Sequence, residues 1–158
     1  AFFSNNKSDN IEYTFYNLQN QIQSLEQYKG KYSILTFTFT RCPSICPMIN
    51  LELSKLQYQY ADNINIISIN VDPDNDTSEL LLNFMRTNQY DWDILKGSIN
   101  DIEDLMEDKL YSNRKLTAPG EHLPNLYLMD KEFNYIEKYF PEKNEVKNLI
   151  NKLDTLEL

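Results

Sequence analysis

Two cysteines and one histidine are the only thiol and imidazole groups in this 158-residue chain. Both cysteines fall in one pentapeptide, Cys42-Pro43-Ser44-Ile45-Cys46, and His122 stands five residues before Tyr127-Leu128-Met129-Asp130. On a helix, residues four apart rise about 6 Å and point to nearly the same face, so the two sulfurs can converge on one atom. The same separation lies inside the Cα limit for a disulfide, near its long end. At a strand-to-helix junction both sulfurs would also meet helix N-terminal N–H groups, which favour thiolate over thiol. Two soft thiolates joined by an imidazole suit Cu(I), and a small Cys-Cys-His set also suits zinc. A structural zinc wants a fourth protein ligand, which only Asp72 or Glu121 is placed to supply, so zinc is the weaker fit. Disulfide exchange, metal binding and two inert core thiols all stay open on the pair alone.

The elements that must position these groups are readable around them. Gly30-Lys31 punctuates the entry to Tyr32–Thr40, a run rich in β-branched and aromatic residues that reads as a strand leading into Cys42. From Ser44 the spacing of Ile45, Ile49, Leu53 and Leu56 predicts an amphipathic helix to about Ala61. Pro43 suits its first turn, while Pro47 cannot donate to the carbonyl one turn back and predicts an irregular start. Ile64–Val71 is a second strand, stopped by Asp72-Pro73-Asp74, so strand, helix and strand imply a right-handed βαβ unit with parallel strands. Thr77 is a candidate N-cap for a helix through Leu80, Leu81, Phe84 and Met85, and Ile102, Leu105, Met106 and Leu110 mark another helix. Tyr111–Glu121 reads as a loop, Leu126–Asp130 and Tyr135–Lys138 as a hairpin, and Val146, Leu149, Ile150 and Leu153 as a closing helix. Before all of this, Ile11, Tyr13 and Phe15 alternate with polar residues as an edge strand or hairpin.

Composition narrows the function classes. Lys and Arg total 15 against 24 Asp and Glu, a formal net charge of -9 with no basic stripe, so nucleic acid and anionic membrane surfaces are poor partners. The longest apolar stretches are strand-sized, far short of a membrane span, and the chain is expected to be soluble. It begins Ala-Phe-Phe without a signal or transit sequence, which suggests that an upstream segment has been removed. Residues 1–10 are taken as an N-terminal tail, a remnant after a membrane anchor, and 11–158 as one domain, since no repeat, linker or composition shift divides them. Met48, Met85, Met106 and Met129 occupy apolar helix or strand positions and are assigned to the core, not to a metal. The acidic run Asp72–Asp76 lacks the glycine and downstream glutamate of a calcium loop and reads as a turn with a helix cap.

Several spaced motifs lie in one register: Gly30-Lys31; Phe37-Thr38-Phe39-Thr40-Arg41-Cys42-Pro43-Ser44-Ile45-Cys46-Pro47; Val71-Asp72-Pro73-Asp74-Asn75-Asp76-Thr77; Leu95-Lys96-Gly97-Ser98; and His122 with Tyr127-Leu128-Met129-Asp130. Together they resemble the landmarks of the SCO/SenC family of copper-binding, thioredoxin-fold proteins. The resemblance implies an α/β, thioredoxin-like fold, a central mixed β-sheet flanked by helices with an N-terminal strand or hairpin extension. It implies that Cys42, Cys46 and His122 bind copper, as Cu(I) and in a further state Cu(II), with Asp72 beside them to orient the ligands or the partner. It implies a metallochaperone more than a turnover enzyme: a factor that delivers copper to the dinuclear site of cytochrome c oxidase subunit II, reduces that subunit's cysteines, or both. Another copper chaperone is the implied donor. Members of the family are typically tethered by one N-terminal membrane helix, facing the mitochondrial intermembrane space or the bacterial periplasm.

Three departures bear on this. Ser44 stands where many members carry an acidic residue, and Gly120-Glu121 precede the histidine where an aspartate often does. Pro124, two residues after His122, resembles the cis-proline that packs beside the redox cysteines of thioredoxin-like reductases. That leans toward a thiol-disulfide oxidoreductase with Cys42 and Cys46 as its catalytic pair and a cis Leu123–Pro124 bond. Against it, such reductases separate their cysteines by two residues, and this chain has three.

Overall fold

The computed structural model describes residues 12–117 and 122–158. Its centre is β1 (Ser33–Thr38), whose six residues are all buried, as in a strand covered on both faces. Helix α1 (Ile45–Tyr60) follows, then β2 (Asn65–Asn70), α2 (Ser78–Asn88), β3 (Asp93–Leu95), α3 (Ile99–Leu110), β4 (Leu126–Met129), β5 (Tyr135–Tyr139) and α4 (Lys143–Asp154). The five strands form one sheet in the order β3-β2-β1-β4-β5. β1 runs parallel to β2 and antiparallel to β4, β3 is parallel to β2, and β5 is antiparallel to β4. This mixed sheet flanked by helices is the thioredoxin-like arrangement the sequence implies.

Two apolar layers hold it. On one face Ile49, Leu53 and Leu56 of α1, Leu81 and Met85 of α2 and Leu149 and Leu153 of α4 meet Ile34, Leu126 and Leu128 of the sheet. On the other, Ile102, Leu105 and Met106 of α3 meet Leu35, Phe37, Ile67, Ile69 and Tyr127, with Phe15 and Phe133 closing the layer. The period-two alternation of β1 and the three-and-four spacing of α1 are thus the two halves of the same packing.

The expected Thr77 cap holds, its Oγ1 accepting the Leu80 N–H at 3.2 Å; Ser98, not foreseen as a cap, does the same for α3, its Oγ accepting the Asp101 N–H at 3.0 Å. The N-terminal stretch forms a tight hairpin and not a full strand. Tyr16 bridges Ile22 on one side and Lys96 on the other, and Phe15 drops into the core against Gly97, where a Cβ would stand 2.9 Å from the Phe15 ring. Residues 1–11, with Ile11 of the expected N-terminal strand, and 118–121, with Gly120 and Glu121, lie outside the described residues.

Other expectations are corrected. Helix α1 runs Ile45–Tyr60, close to the expected Ser44 start, but its first turn holds Pro47, where no N–H is needed, and not Pro43, which precedes the helix. β3 has no counterpart in the sequence reading, because three residues are too short to show a period. Met48, assigned to the core, is 42% exposed on the outer side of α1, whereas Met85, Met106 and Met129 are buried. Finally, no peptide bond among the described residues is cis, so Leu123–Pro124 is trans, the form X–Pro bonds favour by about 0.5–1 kcal/mol.

Candidate metal and thiol site

The topology brings both cysteines and the histidine to one end of the sheet. β1 and β2 are parallel with Thr38 opposite Asn70, so the loops that follow both strands emerge side by side. β4 runs antiparallel to β1 with Tyr127 opposite Leu35, so the residues entering β4 pass the same end of β1 from which Cys42 issues. That delivers His122 to the cysteines. The ligand atoms of Cys42, Cys46 and His122 all lie within 4.8 Å of one another.

Cys42 precedes the helix, and its sulfur takes the role of an N-cap: the Cys46 N–H donates to Cys42 Sγ at 3.3 Å, while the formal cap residue, Ser44, makes no side-chain bond. Cys46 lies one turn further in and is only 2% exposed; Cys42 is half-buried. Both are free thiols. Burial first, then the neighbouring Cys42 sulfur, pushes the Cys46 thiol up to about 12.

His122 is 3% exposed, with Phe39 edge-on to its ring at 5.7 Å. Its Nδ1–H donates to the Leu123 carbonyl at 2.8 Å, which leaves the Nε2 lone pair facing Cys46 Sγ at 3.4 Å. Burial also lowers the histidine pKa, so the ring is neutral near pH 7 and its Nε2 is free to accept a proton or a metal. An imidazole locked through its far nitrogen to a backbone carbonyl is the usual orientation of a metal-binding histidine.

Asp72 does not join this group. Its carboxylate meets Arg41 Nη2 at 3.4 Å and accepts from Asn75 at 2.8 Å, so among the described residues no carboxylate completes a four-ligand zinc set. Pro124 follows Leu123, which packs on the core, and the bond between them is trans, so Pro124 is no cis-proline wall.

Sequence reasoning missed Asp76. Buried to 1% exposure, it accepts from the Thr40 N–H at 2.9 Å, from the Thr40 hydroxyl, and from Asn70 Nδ2 at 2.7 Å, which ties the loop carrying Cys42 to the end of β2. The acidic run around it looked like a turn, and nothing local marked this residue as the one that points inward.

The model of the SCO1/SenC family matches residues 4–157. The chain belongs to the SCO1/SenC family. A SCO1 protein homolog from Bacillus subtilis is 37% identical over 140 residues, covering 80% of this chain and 71% of that protein. This SCO1/SenC chain spans 63% of the next curated relative, from Rickettsia prowazekii, and 38% of one from Arabidopsis thaliana, so it corresponds to part of those proteins. Relatives are found both in bacteria and in mitochondria. Among solved structures, BsSco, described as carrying a disulfide switch and as a member of the Sco family of cytochrome c oxidase assembly proteins, superposes with a TM-score of 0.74 at 28% identity, covering 92% of each chain. ScoI of Bradyrhizobium japonicum with copper bound shares the fold, with a TM-score of 0.70 at 20% identity over 91% of this chain and 97% of that one. No helix among the described residues is long and apolar enough to cross a membrane.

Proposed function

We propose that this chain is a copper-binding assembly factor that receives Cu(I) on Cys42, Cys46 and His122 and passes it to the cysteines of the dinuclear copper site in cytochrome c oxidase subunit II. The observation that carries the reading is the convergence of two sulfurs and one Nε2 within 4.8 Å with no fourth protein ligand among the described residues. Two thiolates and a neutral imidazole match a soft, three-coordinate ion. Copper is cargo here, so the site must both hold and release it.

The ligands are unequal in a way that serves this. Cys46 and His122 are sealed by Phe39 and the start of α1, while Cys42 sits half-exposed at the rim. An incoming thiolate can replace Cys42 first, with Cys46 and His122 still attached, and complete the exchange stepwise. Another copper chaperone would load the site by the reverse order. The proposed setting is a membrane-tethered position facing the periplasm or the intermembrane space, where the oxidase subunit presents its copper site.

A second reading rests on the two free thiols and the Nε2 beside Cys46. In it, Cys42 as thiolate attacks a disulfide of the target, and the released target sulfur leaves as thiolate. Cys46 then gives its proton to His122 Nε2, attacks Cys42 and frees the reduced target, leaving a Cys42–Cys46 disulfide.

Titration of the reduced protein with Cu(I) under nitrogen, against a competing chelator and followed by X-ray absorption, tests the first reading. One equivalent is expected, with two sulfur neighbours and one nitrogen, and His122→Ala should lose the nitrogen and weaken binding by at least the roughly 10–100-fold that losing an outer-shell partner costs. Absence of binding, or an unchanged affinity in His122→Ala, defeats it.

A further inference from the structure

A cleft of about 140 Å³ opens beside Cys42, between the first turns of α1 and the C-terminal half of α2. Cys42 and Cys46 border it, Asn50 lines it, and Phe39, Phe84 and Tyr90 form its walls. Phe84 and Tyr90 stand with ring centroids 5.8 Å apart, and Tyr90 in turn stacks on Trp92 at 4.4 Å, so the outer wall is preformed. Asn50 is 4% exposed, and its carboxamide has no hydrogen-bond partner among the described residues; only its backbone carbonyl is engaged, by Ser54. Its amide atoms are not sealed from solvent, so the carboxamide keeps its hydrogen-bonding capacity free toward the cleft it lines.

We propose that this cleft is the subsite for the polypeptide that exchanges sulfur or metal at Cys42. It takes one apolar side chain next to the partner's cysteine, while the Asn50 carboxamide pairs with the adjoining peptide group. The proposal rests on the reading of Cys42 as the residue that meets the target. Three features select a peptide. The carboxamide offers a donor and an acceptor, which is what a peptide C=O and N–H require. None of the lining residues carries a charge, which disfavours a phosphate or another anion. A cavity of about 150 Å³ takes a benzene-sized group, so the volume fits one side chain of the Leu, Met or Phe class.

The test uses copper-free reduced protein and two blocked peptides, acetyl-Gly-Leu-Cys-Leu-Gly-amide and acetyl-Gly-Gly-Cys-Gly-Gly-amide, each carried as its mixed disulfide with thionitrobenzoate. The Cys42 thiol loses its proton to solvent, its sulfur bonds to the peptide cysteine, and thionitrobenzoate leaves with the electron pair and is read by its absorbance. Cys46 then displaces the peptide as a thiol. Each rate is divided by the same protein's rate with the symmetric thionitrobenzoate disulfide. The Leu peptide is expected to react about tenfold faster than the Gly peptide, the lower end of what burying such a side chain supplies. The ratio should fall below about two in Asn50→Phe, which projects a ring into the cleft, and in Phe84→Ala, which removes a half-buried wall and serves if the first variant folds poorly. A wild-type ratio near one, or a ratio that survives these substitutions, overturns the proposal; so does self-association of the reduced protein through this face, which would assign the cleft to a second copy. Copper titration of the same variants keeps the two readings apart, since the peptide assay contains no metal.

Discussion

Asp76→Ala should be the most damaging single substitution near the site that touches no candidate ligand. The carboxylate accepts three hydrogen bonds in a nearly closed environment, two from Thr40 and one from Asn70. Bonds to a charged group are worth about 1.5–3 kcal/mol each, which gives a gross loss of about 4.5–9 kcal/mol. Removing the buried charge returns several kcal/mol of desolvation, and the Thr40 hydroxyl can turn to another acceptor. The net cost is therefore about 3–5 kcal/mol, from the orphaned Thr40 N–H and Asn70 amide together. With a urea slope of about 2 kcal/mol/M for a domain of this size, the midpoint should drop by about 1.5–2.5 M. Asp76→Asn keeps the shape but presents an NH₂ to neighbouring donors, and should recover less than half of the loss. Equilibrium urea unfolding of the metal-free, reduced protein measures both. A drop below about 0.5 M for Asp76→Ala would mean that this carboxylate does not anchor the Cys42 loop.

Three further outcomes follow from the same geometry. Iodoacetamide at pH 8 should alkylate half-buried Cys42 at least tenfold faster than Cys46, which is 2% exposed and whose thiol is held up to about 12; peptide mass spectrometry giving equal rates would contradict the burial argument. Gly97→Ala should cost about 1–3 kcal/mol in thermal or urea unfolding, because the new Cβ would stand 2.9 Å from the Phe15 ring, and an unchanged stability would show that Phe15 moves freely. The metal-free protein should lose stability as pH falls through about 6.5, since His122 has a lowered pKa when folded and the unfolded chain binds the proton first. That slope should flatten in His122→Gln, and a wild-type unfolding free energy that does not change between pH 7 and pH 5.5 would count against a buried neutral imidazole.

Much of this was legible because the chain spends so few soft ligands. The spacing of Ile49, Leu53 and Leu56 locates α1, and all three are fully buried. The convergence of Cys42 and Cys46 was expected for a partly different reason. The four-residue spacing suggests a shared helix face, whereas Cys42 lies ahead of the helix and its sulfur caps the Cys46 N–H. β3 escaped notice since its three residues draw their order from pairing with β2, a tertiary effect with no local period. Asp76 was hidden for a similar reason, as its partners Thr40 and Asn70 come from other segments. Asn50 did leave a trace. It is four residues after Cys46, so helix periodicity alone puts it beneath that sulfur, a polar residue where the apolar stripe of α1 would continue.

The stapling by Asp76 and the exposure of Cys42 belong together. Thr40 is fixed from below by Asp76 through its backbone N–H and its hydroxyl, so the backbone that carries Cys42 is anchored two residues before it, while the exposed Arg41 side chain only meets Asp72. What freedom remains is in the Cys42 side chain itself, at the rim, while Cys46 is set by the first turn of α1 and His122 by its bond to the Leu123 carbonyl. A site that released its ion by loosening a whole loop would have to break the Thr40–Asp76 bonds each time. One that releases by turning a single side chain keeps Cys46 and His122 in place for the next ion. On this argument Asp76→Ala should weaken copper retention by scattering the position of Cys42 while the Cys46–His122 pair persists. X-ray absorption of that variant would then show one sulfur neighbour disordered and the nitrogen neighbour intact; loss of the nitrogen as well would mean that the three ligands are held as a unit.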